Sequence, residues 1–153
     1  MTGWAEKLVT KLALNEHSAA QYITALKYWS AWHELRYGCP LPLAGAPPAP
    51  VSGSVLTEFL HDHMIKVSQG HLTLYMAEPV RDELAKQGFN GRRAMVVPTT
   101  TEWRINVLRS IQKACNLPFG ESIVAEHLPQ LQASFRASQA TLGNTTHMAV
   151  SLE

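Results

Sequence analysis

An all-α fold, a compact bundle of four main helices with a short N-terminal helix and one inserted helix, follows from three features of this 153-residue chain. Apolar residues recur at three- and four-residue steps in the long segments, and proline and glycine fall where those segments end. No stretch alternates apolar with polar residues around a tight-turn signal, and no internal repeat is visible. With 46% hydrophobic and 16% charged residues the chain is globular rather than disordered, and it suffices for one domain with a real core.

Taken in order, Trp4, Leu8 and Leu12 predict a short helix over 4–14, inside an N-terminal extension covering 1–17. Ser18 is placed to cap a stronger helix over 19–37, on which Tyr22, Ala25, Leu26, Trp29, Trp32 and His33 form a broad apolar stripe. Gly38 ends it and Pro40 prevents its resumption. Trp29 and Trp32 offer either core packing or a platform for a stacked ring, and their place on the stripe favours the core. Pro40, Pro42, Pro47, Pro48 and Pro50 make 39–53 an extended connector. Ser52 or Ser54 then starts a helix that buries Val55, Leu56, Phe59, Leu60 and His63 and ends near Ser68 and Gly70. His61 and His63 stand two residues apart, which on a helix is a turn of about 200°, so they do not share a metal ion. No other His/Cys framework appears, and neither a metal nor a cofactor is expected.

His71 to Met76 is an apolar run, either a lone strand-like piece or a helix entrance. Pro79 at a first-turn position, with Val80, Leu84 and Ala85, predicts a helix over 78–87 stopped by Gly88. The loop 89–98 carries Gly91, Arg92 and Arg93 at its tip. Its fork-shaped donors suit a phosphate, and the same tip also serves as an ordinary solvated loop. Thr99 to Pro118 reads as one amphipathic helix, with Ile105, Leu108, Ile111 and Cys115 on one face and Asn106, Arg109 and Lys113 opposite. Thr99 or Thr100 is its expected cap and Pro118 its end. Ser122 is the expected cap of a last helix over 123–141, with Val124, Leu128, Leu131, Phe135 and Leu142 apolar and Pro129 positioned to kink or split it. The helical domain thus covers 18–142, and 143–153 is a polar tail, read as a linker or an expression scar.

A net charge of +1 excludes a uniformly basic nucleic-acid binder, so any such role rests on local asymmetry. Between 86 and 113, Lys86, Arg92, Arg93, Arg104, Arg109 and Lys113 face only Glu102. Between 55 and 85, Glu58, Asp62, Glu78, Asp82 and Glu83 outnumber Lys66 and Arg81. Two cysteines, Cys39 and Cys115, suit reduced thiols in a cytoplasmic protein. No signal-peptide pattern opens the chain and no apolar run approaches the roughly 18 residues of a membrane span, so a membrane is not an expected partner. No small-molecule substrate is expected either.

Three segments together resemble a known family. SAAQYITALKYWSAWHELRYGCPLP, with Ser18, Tyr22, Leu26, Trp29, Trp32, Gly38, Leu41 and Pro42 in register, is similar to the opening helix of the SAM-like core-binding domain of tyrosine recombinases of the phage integrase family. VSGSVLTEFLHDH resembles the helix after its proline loop. TTTEWRINVLRSIQKACNLP resembles its fourth-helix signature, and the insert from Met76 to Pro98 is similar to that of a subgroup. The resemblance implies a bundle that grips one face of a recombination-site duplex, mainly through phosphates, and self-associates on double-stranded DNA. The strand-breaking Tyr with its Arg, Lys and His partners belongs to a separate C-terminal domain, so this chain is expected not to be an enzyme by itself. The expected DNA contacts are Arg92, Arg93, Thr99, Thr100, Arg104, Asn106, Arg109 and Lys113, with Asn106 able to read adenine. Ser18, Ala19 and Ala20 stand where the family often has Thr followed by Arg, and Glu102, Trp103 and Arg104 stand where it commonly has a basic run, with Glu102 set to repel phosphate, so more of the contact is expected from Arg92, Arg93, Arg109 and Lys113.

A second expectation, of another class, is a helical protein-interaction module in which Trp103, apolar and off the main stripe, docks a partner. Pairing Cys115 with His127 as nucleophile and base would require a core-stripe thiol to be exposed, and no serine elbow or phosphate-cradling glycine loop supports another chemistry.

Overall fold

The computed structural model describes residues 3–91 and 95–151, with side chains through 143. Six α-helices and one two-stranded sheet follow in the order α1 (Trp4–Thr10), α2 (Glu16–Tyr37), α3 (Gly53–Asp62), β1 (Ile65–Ser68), β2 (His71–Leu74), α4 (Glu78–Lys86), α5 (Pro98–Ala114) and α6 (Glu121–Ser151). The chain is therefore mostly helical, and the purely helical expectation is corrected by a small β-hairpin.

Helix α2 is the central element and packs against α1, α4 and α5. Its cap is Asn15, whose Oδ1 accepts the Ser18 N–H at 2.8 Å, so Ser18 lies inside the first turn instead of capping it. Gly38 closes the helix in the left-handed region at φ 73°. Trp29, Trp32 and Tyr28 are fully buried, which settles the tryptophans as core. Trp29 stacks on Phe59 with centroids 3.6 Å apart, and Trp32 meets the same ring edge-on at 5.0 Å. Each indole N–H finds an acceptor: Trp29 donates to the Arg104 carbonyl at 2.8 Å and Trp32 to Asp62 Oδ2 at 2.9 Å. These two bonds tie α2 to α5 and to α3 through the middle of the core.

The connector holds a short 3-10 turn, Pro42–Ala44, which buries Leu43. Ser52 is the cap of α3, accepting the Val55 N–H at 3.3 Å. That helix ends at Asp62, well before Ser68, because the chain from Ile65 pairs with 71–74. Gln69 (φ 52°) and Gly70 (φ 78°) form the two-residue turn, both with the positive φ that a type I′ hairpin turn requires. Ile65 pairs with Leu74 and both are buried. The outer edge of β1 is held by α6, where Ser134 Oγ accepts the Ile65 N–H and the Ser138 hydroxyl donates to the Ile65 carbonyl, each at 3.2 Å.

Helix α5 begins at Pro98 after Val97, with no side chain capping it. Thr99 and Thr100 occupy its first turn and do not cap it; the fixed φ of proline at N1 sets the start instead. The helix stops at Ala114, short of Pro118, because Gln112 closes the turn: its Nε2 donates to the Pro118 carbonyl at 2.6 Å and its Oε1 accepts the Val51 N–H at 3.0 Å. Helix α6 starts at Glu121, so Ser122 also lies within the first turn, and Pro129 neither ends nor splits it. The carbonyl that Pro129 leaves unpaired belongs to Ala125, and both residues are exposed to solvent, so the loss is tolerated. No described helix is long and apolar enough to cross a membrane.

Candidate nucleic-acid interface

The N-terminal halves of α2 and α5 diverge to leave a groove of about 560 Å³, lined on one wall by His17, Gln21 and Thr24 and on the other by Thr100, Trp103 and Arg104. The α2 wall is a polar stripe at four- and three-residue spacing, exposed along its length. The α5 wall begins at an uncapped helix start. Thr100 N–H bonds to the Val97 carbonyl at 3.0 Å and Thr101 N–H to the same oxygen at 3.4 Å, while the Thr99 N–H has no partner among the described residues. Such a terminus carries partial positive charge.

Arg104 is where expectation and structure differ most. It is only 9% exposed, turned inward with its guanidinium 3.5 Å from the Tyr28 ring centroid. The resemblance implies a DNA contact for it; the same turn that carries its backbone carbonyl to Trp29 brings its side chain against α2 and turns the guanidinium inward. Its Nη1 is buried without a hydrogen-bond partner, and no carboxylate pairs with it among the described residues. Burial lowers its pKa and the neighbouring Tyr28 hydroxyl opposes that shift, yet an arginine stays charged under any physiological condition.

Behind it lies a buried polar chain that ends at Asn90, whose Oδ1 has no hydrogen-bond partner. His63 donates from Nδ1 to the Phe59 carbonyl at 2.7 Å, so its Nε2 accepts the Tyr28 hydroxyl at 2.5 Å, and Asn90 Nδ2 donates to the Tyr28 oxygen at 3.3 Å. Complete burial pushes the His63 pKa down to about 3 and burial pushes the Tyr28 hydroxyl up, so both are neutral. Arg104 is therefore the one fixed charge in this cluster.

The other expected contacts do not gather on one face. Thr100, Trp103 and Arg104 line the groove, with Thr99 exposed beside it at the helix start. Asn106, Arg109 and Lys113 lie round the helix, away from α2. Arg109 is engaged there: its Nε pairs with Glu121 Oε1 at 2.8 Å, its Nη1 donates to Asn106 Oδ1, and its guanidinium lies 5.1 Å from the Phe119 ring. Asn106, half-buried, accepts that bond through Oδ1, so reading a base with both amide atoms would require Arg109 to release it. Lys113 is exposed and in no ion pair among the described residues. Arg92 and Arg93 lie outside the described residues. His61 and His63 point apart as expected, one exposed and one buried, and no group of three or more His, Cys, Asp or Glu among the described residues could hold a metal ion.

The residues that sequence reasoning missed are His17, Gln21 and Thr24. Their spacing marks one side of α2, but polar residues on an exposed stripe carry no signal until a second wall stands opposite. In comparison with known proteins, no family model, no curated protein and no solved structure matches the chain.

Proposed function

We propose that the chain is the DNA-binding, core-binding domain of a site-specific tyrosine recombinase, holding one face of a duplex mainly through its phosphates. The observation that carries this reading is the uncompensated positive charge of Arg104 beneath a groove that opens at the uncapped start of α5. A buried cation without a counter-ion costs several kcal/mol, and the start of α5 adds the unpaired Thr99 N–H and a dipole of the same polarity, so the pair favours an anion. The sequence resemblance, whose first and fourth helix signatures fall on α2 and α5, supports the choice of a DNA phosphate as that anion. Lys113, exposed but away from the groove, adds a cation on a separate face of α5, whereas Arg109, paired with Glu121, contributes less than its charge suggests.

Fluorescence anisotropy with a duplex over a series of salt concentrations tests it. With about two to four phosphate contacts the logarithmic salt slope is about −2 to −4, from roughly −0.9 per contact. Lys113→Glu should weaken binding several-fold and flatten the slope. Absence of binding at low salt refutes the proposal.

Trp103, 36% exposed, and Tyr75, 58% exposed, favour a second reading, a protein-interaction module without direct DNA contact. Analytical ultracentrifugation with and without DNA separates the two, since a pure interaction module self-associates indifferently to DNA.

A further inference from the structure

We infer that the α2/α5 groove takes an unpaired nucleotide, its base laid against Trp103 and its phosphate at the start of α5 above Arg104. This rests on the nucleic-acid reading above and narrows it, at this groove, from duplex backbone to a base free of its partner strand. The argument begins with shape. Contact with a duplex backbone needs only a charged surface, whereas about 560 Å³ is a volume of the size that holds small planar ligands.

The walls carry the chemistry for both ends of a nucleotide. Trp103 keeps 36% of its surface exposed, whereas Trp29 and Trp32 are completely buried and Trp4 is partly buried at the core's edge. Tyr22, outside the groove, meets the indole at 5.1 Å with the ring planes at 89°, which holds the indole in place. In a closed duplex the faces of the bases are covered by their neighbours, so an indole stacks only on a base that is already unpaired or turned out. On the α2 wall Ala20 and Ala25 have side chains too short to fill the space a ring would take. Gln21 and Thr24 offer donors and acceptors to a base edge, and Gln21 is already oriented by its 3.2 Å contact with the His17 ring. At the other end stand the unpaired Thr99 N–H and the orphan Nη1 of Arg104, whose field reaches the groove it lines.

Anisotropy with the full chain at low salt tests the inference using three labelled probes: a short thymidine strand, a strand of equal length made of abasic sites, and a duplex. Base stacking on an aromatic side chain is worth about tenfold in affinity or more, so the thymidine strand should bind at least that much tighter than the abasic one. Trp103→Ala should abolish this difference while leaving the abasic affinity unchanged, and Trp103→Phe should keep most of it. Equal binding of the thymidine and abasic strands overturns the inference, as does an equal loss for both in Trp103→Ala. Should that variant not fold, the wild-type chain decides: thymidine must shield tryptophan fluorescence from acrylamide more than the abasic strand does, and equal quenching overturns the inference. Duplex binding with no preference for thymidine over abasic strand leaves the DNA-binding reading standing and removes only this one. Binding to none of the probes removes both.

Discussion

Replacing Arg104 with methionine separates a charge kept for a ligand from a charge kept for the fold. The guanidinium is 9% exposed, makes no ion pair among the described residues and leaves Nη1 without a partner. Its desolvation costs several kcal/mol, while the Tyr28 ring at 3.5 Å returns about 2 kcal/mol as a desolvated cation–π contact. Methionine fills a similar volume and keeps the apolar stem against α2, and the Arg104 carbonyl that receives the Trp29 N–H is unaffected by the change. The variant should therefore be as stable as the parent or up to about 2 kcal/mol more stable. At this chain length that is a rise in Tm of up to about 4–8 °C. Urea unfolding followed by tryptophan fluorescence gives the value, with an unchanged m confirming that the same surface is exposed. DNA affinity should fall at least tenfold in the same variant. A loss of about 3 kcal/mol or more would refute the reasoning, since that is what a structurally paired buried charge costs when removed.

Three further outcomes follow from the core. Because His63 has a folded pKa of about 3 against about 6.5 when unfolded, the unfolded chain binds the extra proton between those values, and stability falls as pH drops through that window. The loss at pH 5 relative to pH 7 should be about 2 kcal/mol by urea titration, and His63→Gln should flatten it; Asp62, whose carboxyl is raised by burial, acts in the opposite sense. Gln112→Leu strands the buried Val51 N–H, while the exposed Pro118 carbonyl turns to solvent, so thermal unfolding should report a loss of about 1–3 kcal/mol. Gly38→Ala meets no neighbour within 4 Å, yet places a Cβ at φ 73°, and should cost about 1 kcal/mol from backbone strain alone. Calorimetry of that variant distinguishes strain from packing, because a local strain leaves ΔCp unchanged.

The helices were legible because their signals are local. The stripe on α2, its Gly38 stop, the Ser52 cap and the stop at Gly88 each act within a few residues, and all appear in the structure. The hairpin was not legible for the same reason in reverse. Four-residue strands give too few alternations to count, and Gln69 is an unusual residue for a left-handed turn position, tolerated here because α6 grips the edge of β1. The caps of α2 and α5 were misplaced where a neighbour competed: Asn15 stands ahead of Ser18, and Pro98 ahead of the threonines.

The candidate site divides along the same line. Sequence alone determined that cations concentrate between 86 and 113, that the tryptophans of α2 belong to the core, and that the histidines of the HDH run point apart. Only the tertiary structure decided which cations face outward. The sequence places Arg104, Arg109 and Lys113 on one helix as expected DNA contacts, the last two on its polar face, but the first is pulled beneath the groove by contact with Tyr28, Arg109 is taken by Glu121, and Lys113 is left exposed. Helical periodicity assigns a residue to a side of its own helix; whether that side meets solvent, a ring or a carboxylate depends on elements distant in sequence, and no local pattern encodes them.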